Sequence, residues 1–113
     1  MVTIYGIKNC DAMQKAMRWL EEHGVDYRFH DYRKDGLDSA TLKAWEQELG
    51  WETLLNRRGQ SWRKLPDATR VNIDRSSALR AMEETPTLIK RPLLDLGKRR
   101  LVGFDPDMYA ELF

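Results

Sequence analysis

One residue type in this chain is set for covalent chemistry. Cys10 is the only cysteine, and it follows Gly6-Ile7-Lys8-Asn9, between an apolar run and a helix-forming segment. Unpaired backbone N–H groups at a helix start, together with the helix dipole, favour an anion there. Lys8 adds positive charge close by. A thiolate is both that anion and a nucleophile, so the position favours the reactive form of the thiol, with Lys8 and Asn9 placed to stabilise it. Asp11 works against this unless its carboxylate turns away to cap the helix. The same place also suits a small apolar side chain tucked under the helix. Gly6 and Asn9 favour a bent, exposed loop and shift the reading toward a reactive thiol. In Cys10-Asp11-Ala12-Met13, methionine stands where a second cysteine would complete C-x-x-C, so any disulfide must be made with a thiol from another molecule.

Arg57, Arg58, Arg63 and Lys64 cluster further along the chain. Such runs are ordinarily solvated faces, yet an arginine fork suits a carboxylate or an oxyanion. Arg91-Pro92 precedes a later strand. An X-Pro bond is cis in only about 5–6% of cases, so trans is the expectation from the residues alone. His23 and His30 have no cysteine or histidine close enough in sequence to suggest a metal site. The four tryptophans recur near leucines at helical spacing, which points to core packing rather than base stacking.

The elements that must position these residues follow from periodicity. Val2–Tyr5, ended by Gly6, reads as a strand. Met13, Ala16, Met17 and Leu20 mark one face of a helix over 11–23, stopped by Gly24. Val25, Tyr27 and Phe29 alternate with polar residues as a second strand, and Lys34-Asp35-Gly36 turns the chain. Asp38 or Ser39 caps a helix carrying Leu42, Trp45 and Leu49, stopped by Gly50. Residues 51–75 break into short helical pieces at Gly59 and Pro66. Ser76 or Ser77 caps the next helix, which ends before Pro86. Residues 93–96 and 100–102 form a hairpin around Gly97-Lys98-Arg99, and Asp105-Pro106 opens a last helix. The expected fold class is α/β: one four-stranded mixed sheet, β-α-β then β-β-α, with a right-handed crossover. The whole chain, 1–113, is read as a single domain with a helical insertion at about 38–85.

Composition bounds the function. The chain has 113 residues, 42% hydrophobic and 33% charged, with 19 basic against 18 acidic side chains for a formal charge of +1. That is globular composition with no general surplus for coating nucleic acid or a membrane surface, so neither is an expected partner. No apolar run approaches the roughly 18–20 residues needed to span a bilayer. A single cysteine excludes an internal disulfide framework and a multi-cysteine metal site. With no targeting segment expected ahead of the first strand, the cytoplasm is the default location.

Three segments in order, Ile4-Tyr5-Gly6-Ile7-Lys8-Asn9-Cys10, Leu54-Leu55-Asn56-Arg57-Arg58-Gly59 with Trp62-Arg63-Lys64-Leu65, and Leu88-Ile89-Lys90-Arg91-Pro92-Leu93-Leu94, resemble the arsenate reductase (ArsC)-like family of thioredoxin-type fold. The likeness lies with its YffB branch, beside Spx. The resemblance implies a catalytic or redox cysteine at Cys10, a cis proline at Pro92 and an anion-binding arginine at Arg91. Two further arginine positions of the family's oxyanion site fall on Asn56 and near Gly103. The resemblance also implies an oxidoreductase of monothiol type with no bound cofactor and glutathione as co-substrate. Arg91, Pro92 and Arg58 would then hold the anionic groups, and glutaredoxin is an implied partner. Gly50 and Arg58 match the Spx pattern, which implies the RNA polymerase alpha subunit as the alternative partner of a non-enzymatic regulator. A genuine arsenate reductase is the third reading.

Overall fold

A computed structural model describes all residues, 1–113. The chain divides into two compact units, one made of residues 1–35 and 91–113, the other of 36–90.

The first unit is a four-stranded mixed sheet in the order β2-β1-β3-β4. Strand β1 (Val2–Gly6) runs parallel to β2 (Tyr27–Asp31), with Ile4 opposite Phe29. It is antiparallel to β3 (Leu93–Asp95), with Tyr5 opposite Leu93, and β3 is antiparallel to β4 (Arg100–Val102). Period-two alternation sends Ile4, Leu94 and Leu101 to one face. There they join Met13, Ala16 and Leu20 of helix α1 (Asp11–Glu22) and Tyr109 of the C-terminal helix in one core. That C-terminal helix spans Pro106–Leu112, and Asp105 caps it by accepting the Asp107 N–H at 3.0 Å. The α/β fold is therefore thioredoxin-like, with the expected element order.

Three boundaries differ from the sequence reading, each for a local hydrogen-bonding reason. The second strand starts at Tyr27, not Val25. The Val25 N–H bonds the Leu20 carbonyl and the Gly24 N–H bonds that of Glu21, with Gly24 at φ +68. These close a Schellman motif at the end of α1, so Val25 serves the helix and not the ladder. The turn expected at 34–36 is a short helix α2 (Tyr32–Asp35), started by Arg33 N–H on Asp31 Oδ1 and released at Gly36, φ +63. The third strand closes at Asp95, because the Leu96 N–H is taken by the Arg99 carbonyl inside the hairpin.

The second unit is helical: α3 (Ser39–Leu49), α4 (Trp51–Leu54), α5 (Gln60–Arg63), α6 (Asp67–Val71), α7 (Arg75–Glu84) and a 3-10 turn (Pro86–Leu88). Asp38 caps α3 as expected, accepting the Thr41 N–H at 2.8 Å. The short pieces are tied down by an antiparallel bridge between Leu55 and Ile89, flanked by Asn56 N–H to the Leu88 carbonyl and Lys90 N–H to that of Leu54. Of the four tryptophans only Trp45 is fully buried; Trp51 and Trp62 both face the Arg57 guanidinium instead.

The cap of α7 is Asp74, not Ser76 or Ser77. Its carboxylate accepts the Ser77 N–H at 2.9 Å, and the Ser77 hydroxyl accepts the Asp74 N–H at 3.0 Å, a complete capping box. Ionised oxygen is the stronger acceptor for an orphan helix N–H. Bonding from Ser77, first through its backbone and then its side chain, holds the Asp74 carboxyl below its ordinary value. A depressed folded-state value contributes stability that is full above the unfolded-state value and lost as pH falls through the folded one. Asp74→Ala is thus expected to lower the melting temperature at neutral pH, with the gap to the parent chain closing on acidification. A gap that stays constant into acid would remove the cap from the account.

Candidate functional site

The parallel pair β1–β2 ends at Gly6 opposite Asp31, and β3 begins beside Tyr5. That register brings the Gly6–Cys10 loop, the start of α2 and the Arg91–Pro92 peptide to one end of the sheet, where strand carboxyl ends make the usual binding crevice of α/β folds.

Cys10 is the N-cap of α1, in extended conformation (φ −132°, ψ 124°), and its side chain makes no capping hydrogen bond. Its carbonyl accepts the Gln14 N–H at 3.0 Å, and the Gln14 side-chain amide donates to the Lys8 carbonyl at 3.3 Å. One residue, missed in the sequence reading, therefore holds the loop at its middle and at its helix end. The thiol is half-buried and packs against the sheet–helix core, while Lys8 and Asn9 are exposed. Asp11 does not cap the helix; it is an exposed residue of the first turn. The loop sits tight on the core because Gly6 has no side chain. A Cβ there would lie 2.3 Å from Met13 Sδ, and Met13 is fully buried.

The Arg91–Pro92 bond is cis, against the expectation from residues alone and in line with the resemblance. Pro92 is buried, and its carbonyl accepts the Gly103 N–H at 2.9 Å. Cys10, Lys8, Asn9, Arg91 and Pro92 all lie in the first unit. Near them stands a residue that the sequence reading did not single out. Tyr32 is 4% exposed, with ring centroids 6.2 Å from Tyr5 and 6.1 Å from His30. Burial pushes its hydroxyl far up from the ordinary tyrosine value. Tyr5 adds to that rise, and the Arg91 guanidinium opposes it.

Arg58 belongs to the second unit. Its N–H donates to Asn56 Oδ1 at 3.0 Å and its carbonyl accepts Arg63 Nη2 at 2.9 Å. Arg57 lies 5.8 and 5.6 Å from the Trp51 and Trp62 ring centres. The basic cluster is thus divided. All four residues are exposed, but the guanidinium groups of Arg57 and Arg63 are engaged within the unit, by the two indole rings and by the Arg58 carbonyl.

A thioredoxin-like sheet, a lone cysteine capping the first helix and an arginine joined to a cis proline before the third strand define a class of thiol-bearing α/β domains. The ArsC family model matches residues 5–112, and the chain belongs to that family. The solved YffB protein superposes with a TM-score of 0.93 at 50% identity, over 98% of this chain and 97% of that one. An arsenate reductase (ArsC) related protein from Brucella melitensis gives 0.80 at 52% identity, over 97% and 92%. The global transcriptional regulator Spx of Enterococcus faecalis is 30% identical over 112 residues, covering 95% of this chain and 82% of the regulator. No helix is long and apolar enough to cross a membrane.

Proposed function

We propose that the chain is a glutathione-dependent thiol reductase with Cys10 as its single nucleophile. The observation that carries this reading is the placement of the only cysteine as the half-exposed N-cap of a 12-residue helix, its side chain uncommitted to capping. The Cys10 thiolate attacks the glutathionyl sulfur of a mixed disulfide, forming Cys10–S–S–glutathione and expelling the substrate thiolate, which takes up a proton. A second glutathione, as thiolate, attacks the bound glutathionyl sulfur. Glutathione disulfide leaves and the Cys10 thiolate returns. The helix N-terminus, Lys8 and Asn9 favour the sulfur anion, and Arg91 beside Pro92 holds a glutathione carboxylate. Glutaredoxin fits as the partner that can take the glutathionyl group in place of that second glutathione, and the cytoplasm is the compartment where glutathione keeps such a thiol reduced.

Intact-mass spectrometry tests this directly. Glutathione disulfide is expected to leave one glutathionyl group per chain, mapped to Cys10 and removed by reduced glutathione. A chain that takes up none ends the mechanism. Arsenate as substrate is less well supported. Of the family's oxyanion positions, Asn56 directs its Oδ1 to the Arg58 N–H, and Gly103 sits at φ +84, where a side chain is strained. The likeness to Spx favours a second reading, a regulator that contacts RNA polymerase through its alpha subunit. Capture of that subunit by the Cys10→Ser chain as well as the parent would favour the regulator.

A further inference from the structure

Helix α7 packs inward through Ala78 and Met82, both fully buried, which turns the row Arg80, Ala81 and Glu84 away from the core. That row lines one side of an open groove of about 390 Å³, whose other side is α6 and the Leu65-Pro66 segment before it. The groove lies wholly within the second unit, and its volume falls in the range of small-ligand sites. Leu65, Pro66 and Ala81 give it apolar surface, while Arg80 and Glu84, both exposed, bring opposite charges. The two charges sit one turn apart on the same helix, about 6 Å along its axis. Neither side chain is taken up by an ion pair or a hydrogen bond within the chain. Arg80 acts only at a distance on Asp74, whose carboxylate is committed to the helix cap. The end of α7 adds a second asymmetry. Glu83 and Glu84 close the helix, and no basic residue stands in its last turn. A helix C-terminus favours a cation, so the helix end and the Glu84 carboxylate both attract positive charge at this end of the groove.

We propose that the α6–α7 groove binds a short zwitterionic peptide, its carboxylate on Arg80 and its ammonium on Glu84. A guanidinium has five donors and no acceptor, so it takes the carboxylate and repels the ammonium, which sets the direction of the peptide along α7. Spacing sets the length. An extended residue spans at most about 3.3–3.6 Å, so the charged ends of a dipeptide lie roughly 6–7 Å apart, close to one helical turn. A single amino acid holds its charges closer together than that, and a longer extended chain holds them further apart. An apolar side chain on the peptide would cover Leu65 and Pro66. Cys10 belongs to the other unit, so Cys10→Ser is expected to leave this binding unchanged.

The test titrates alanyl-leucine into the full chain and follows backbone amide shifts by NMR. Saturable shifts confined to residues 65–85 are expected. N-acetyl-alanyl-leucine lacks the ammonium and alanyl-leucine amide lacks the carboxylate, and each is expected to bind about fivefold more weakly, the upper end for a solvent-exposed ion pair. Arg80→Gln should then bind alanyl-leucine and its amide alike, and Glu84→Gln should bind alanyl-leucine and its N-acetyl form alike. Both replacements are exposed and glutamine is a good helix former; the comparison of the three ligands on the parent chain decides the matter without them. No saturable shift, shifts centred outside 65–85, or equal affinity for the free and blocked dipeptides would each overturn the proposal. Discrimination between free and blocked forms that survives intact in both variants would overturn the roles of Arg80 and Glu84.

Discussion

Cys10→Ser is expected to reduce glutathione-dependent disulfide reduction to the rate of the protein-free control. The loss is complete because the sequence holds no second thiol. In a C-x-x-C protein the remaining cysteine can still form a mixed disulfide; here Met13 occupies that position. Serine keeps the size and the N-cap position, and the helix N-terminus still favours an anion, but an alcohol forms no disulfide and is scarcely ionised at neutral pH. The fold should survive, since the swap changes one partly exposed atom at the edge of the core. An unchanged melting curve together with absent turnover is the expected pair of results. The single thiol has a kinetic consequence as well. With no internal resolving cysteine, release of the Cys10 adduct should rise in proportion to added glutathione. Residual turnover in Cys10→Ser would place the chemistry elsewhere in the chain.

Much of this site was legible in the residue order. Cys10 after a strand and before a periodic helix stood out as the candidate nucleophile, and Asp105-Pro106 and Asp38 announced their helices through side chains that satisfy orphan N–H groups. Features that depended on partners distant in sequence were hidden. That Gln14 bonds the Lys8 carbonyl is invisible until α1 turns its side chain back over the loop. Ser77 was read as a cap because serine commonly is one; Asp74, three residues earlier, takes the role, and Ser77 completes the box. Local propensity also set Arg91–Pro92 as trans, and only the resemblance over the whole chain pointed to cis. Tyr32 was passed over for a related reason. Its neighbours Arg33, Lys34 and Asp35 are exposed and turn-like, and nothing in their order shows that Tyr5 and His30 will meet beside its ring.

The tightest structural constraint near Cys10 is the approach of Gly6 to Met13, and its removal from either side is expected to be costly in a way that the other side repairs. Met13→Ala empties a fully buried site and should cost about 2–5 kcal/mol. Gly6→Ala puts a methyl where a Cβ would meet Met13 Sδ at 2.3 Å, Cε at 2.8 Å and Cγ at 3.0 Å. Met13 has no solvent to move into, so overpacking should cost about 1–3 kcal/mol. In the double variant the new methyl enters space that the methionine has left. The two losses should therefore not add, and the cycle should show a favourable coupling of about 0.5–3 kcal/mol, read from urea midpoints of the four chains. Simple additivity would mean that Met13 swings aside at little cost and that the packing is not the constraint it looks to be. Gly6 closes β1 and Met13 is the first buried residue of α1, so their contact sets how closely the loop bearing Cys10 is drawn to the sheet. The position that a dithiol motif gives to a resolving sulfur is here occupied by a sulfur that fills the core against which Cys10 packs. A thioether has no proton to lose and forms no disulfide, so any thiol that resolves an adduct on Cys10 has to come from another molecule.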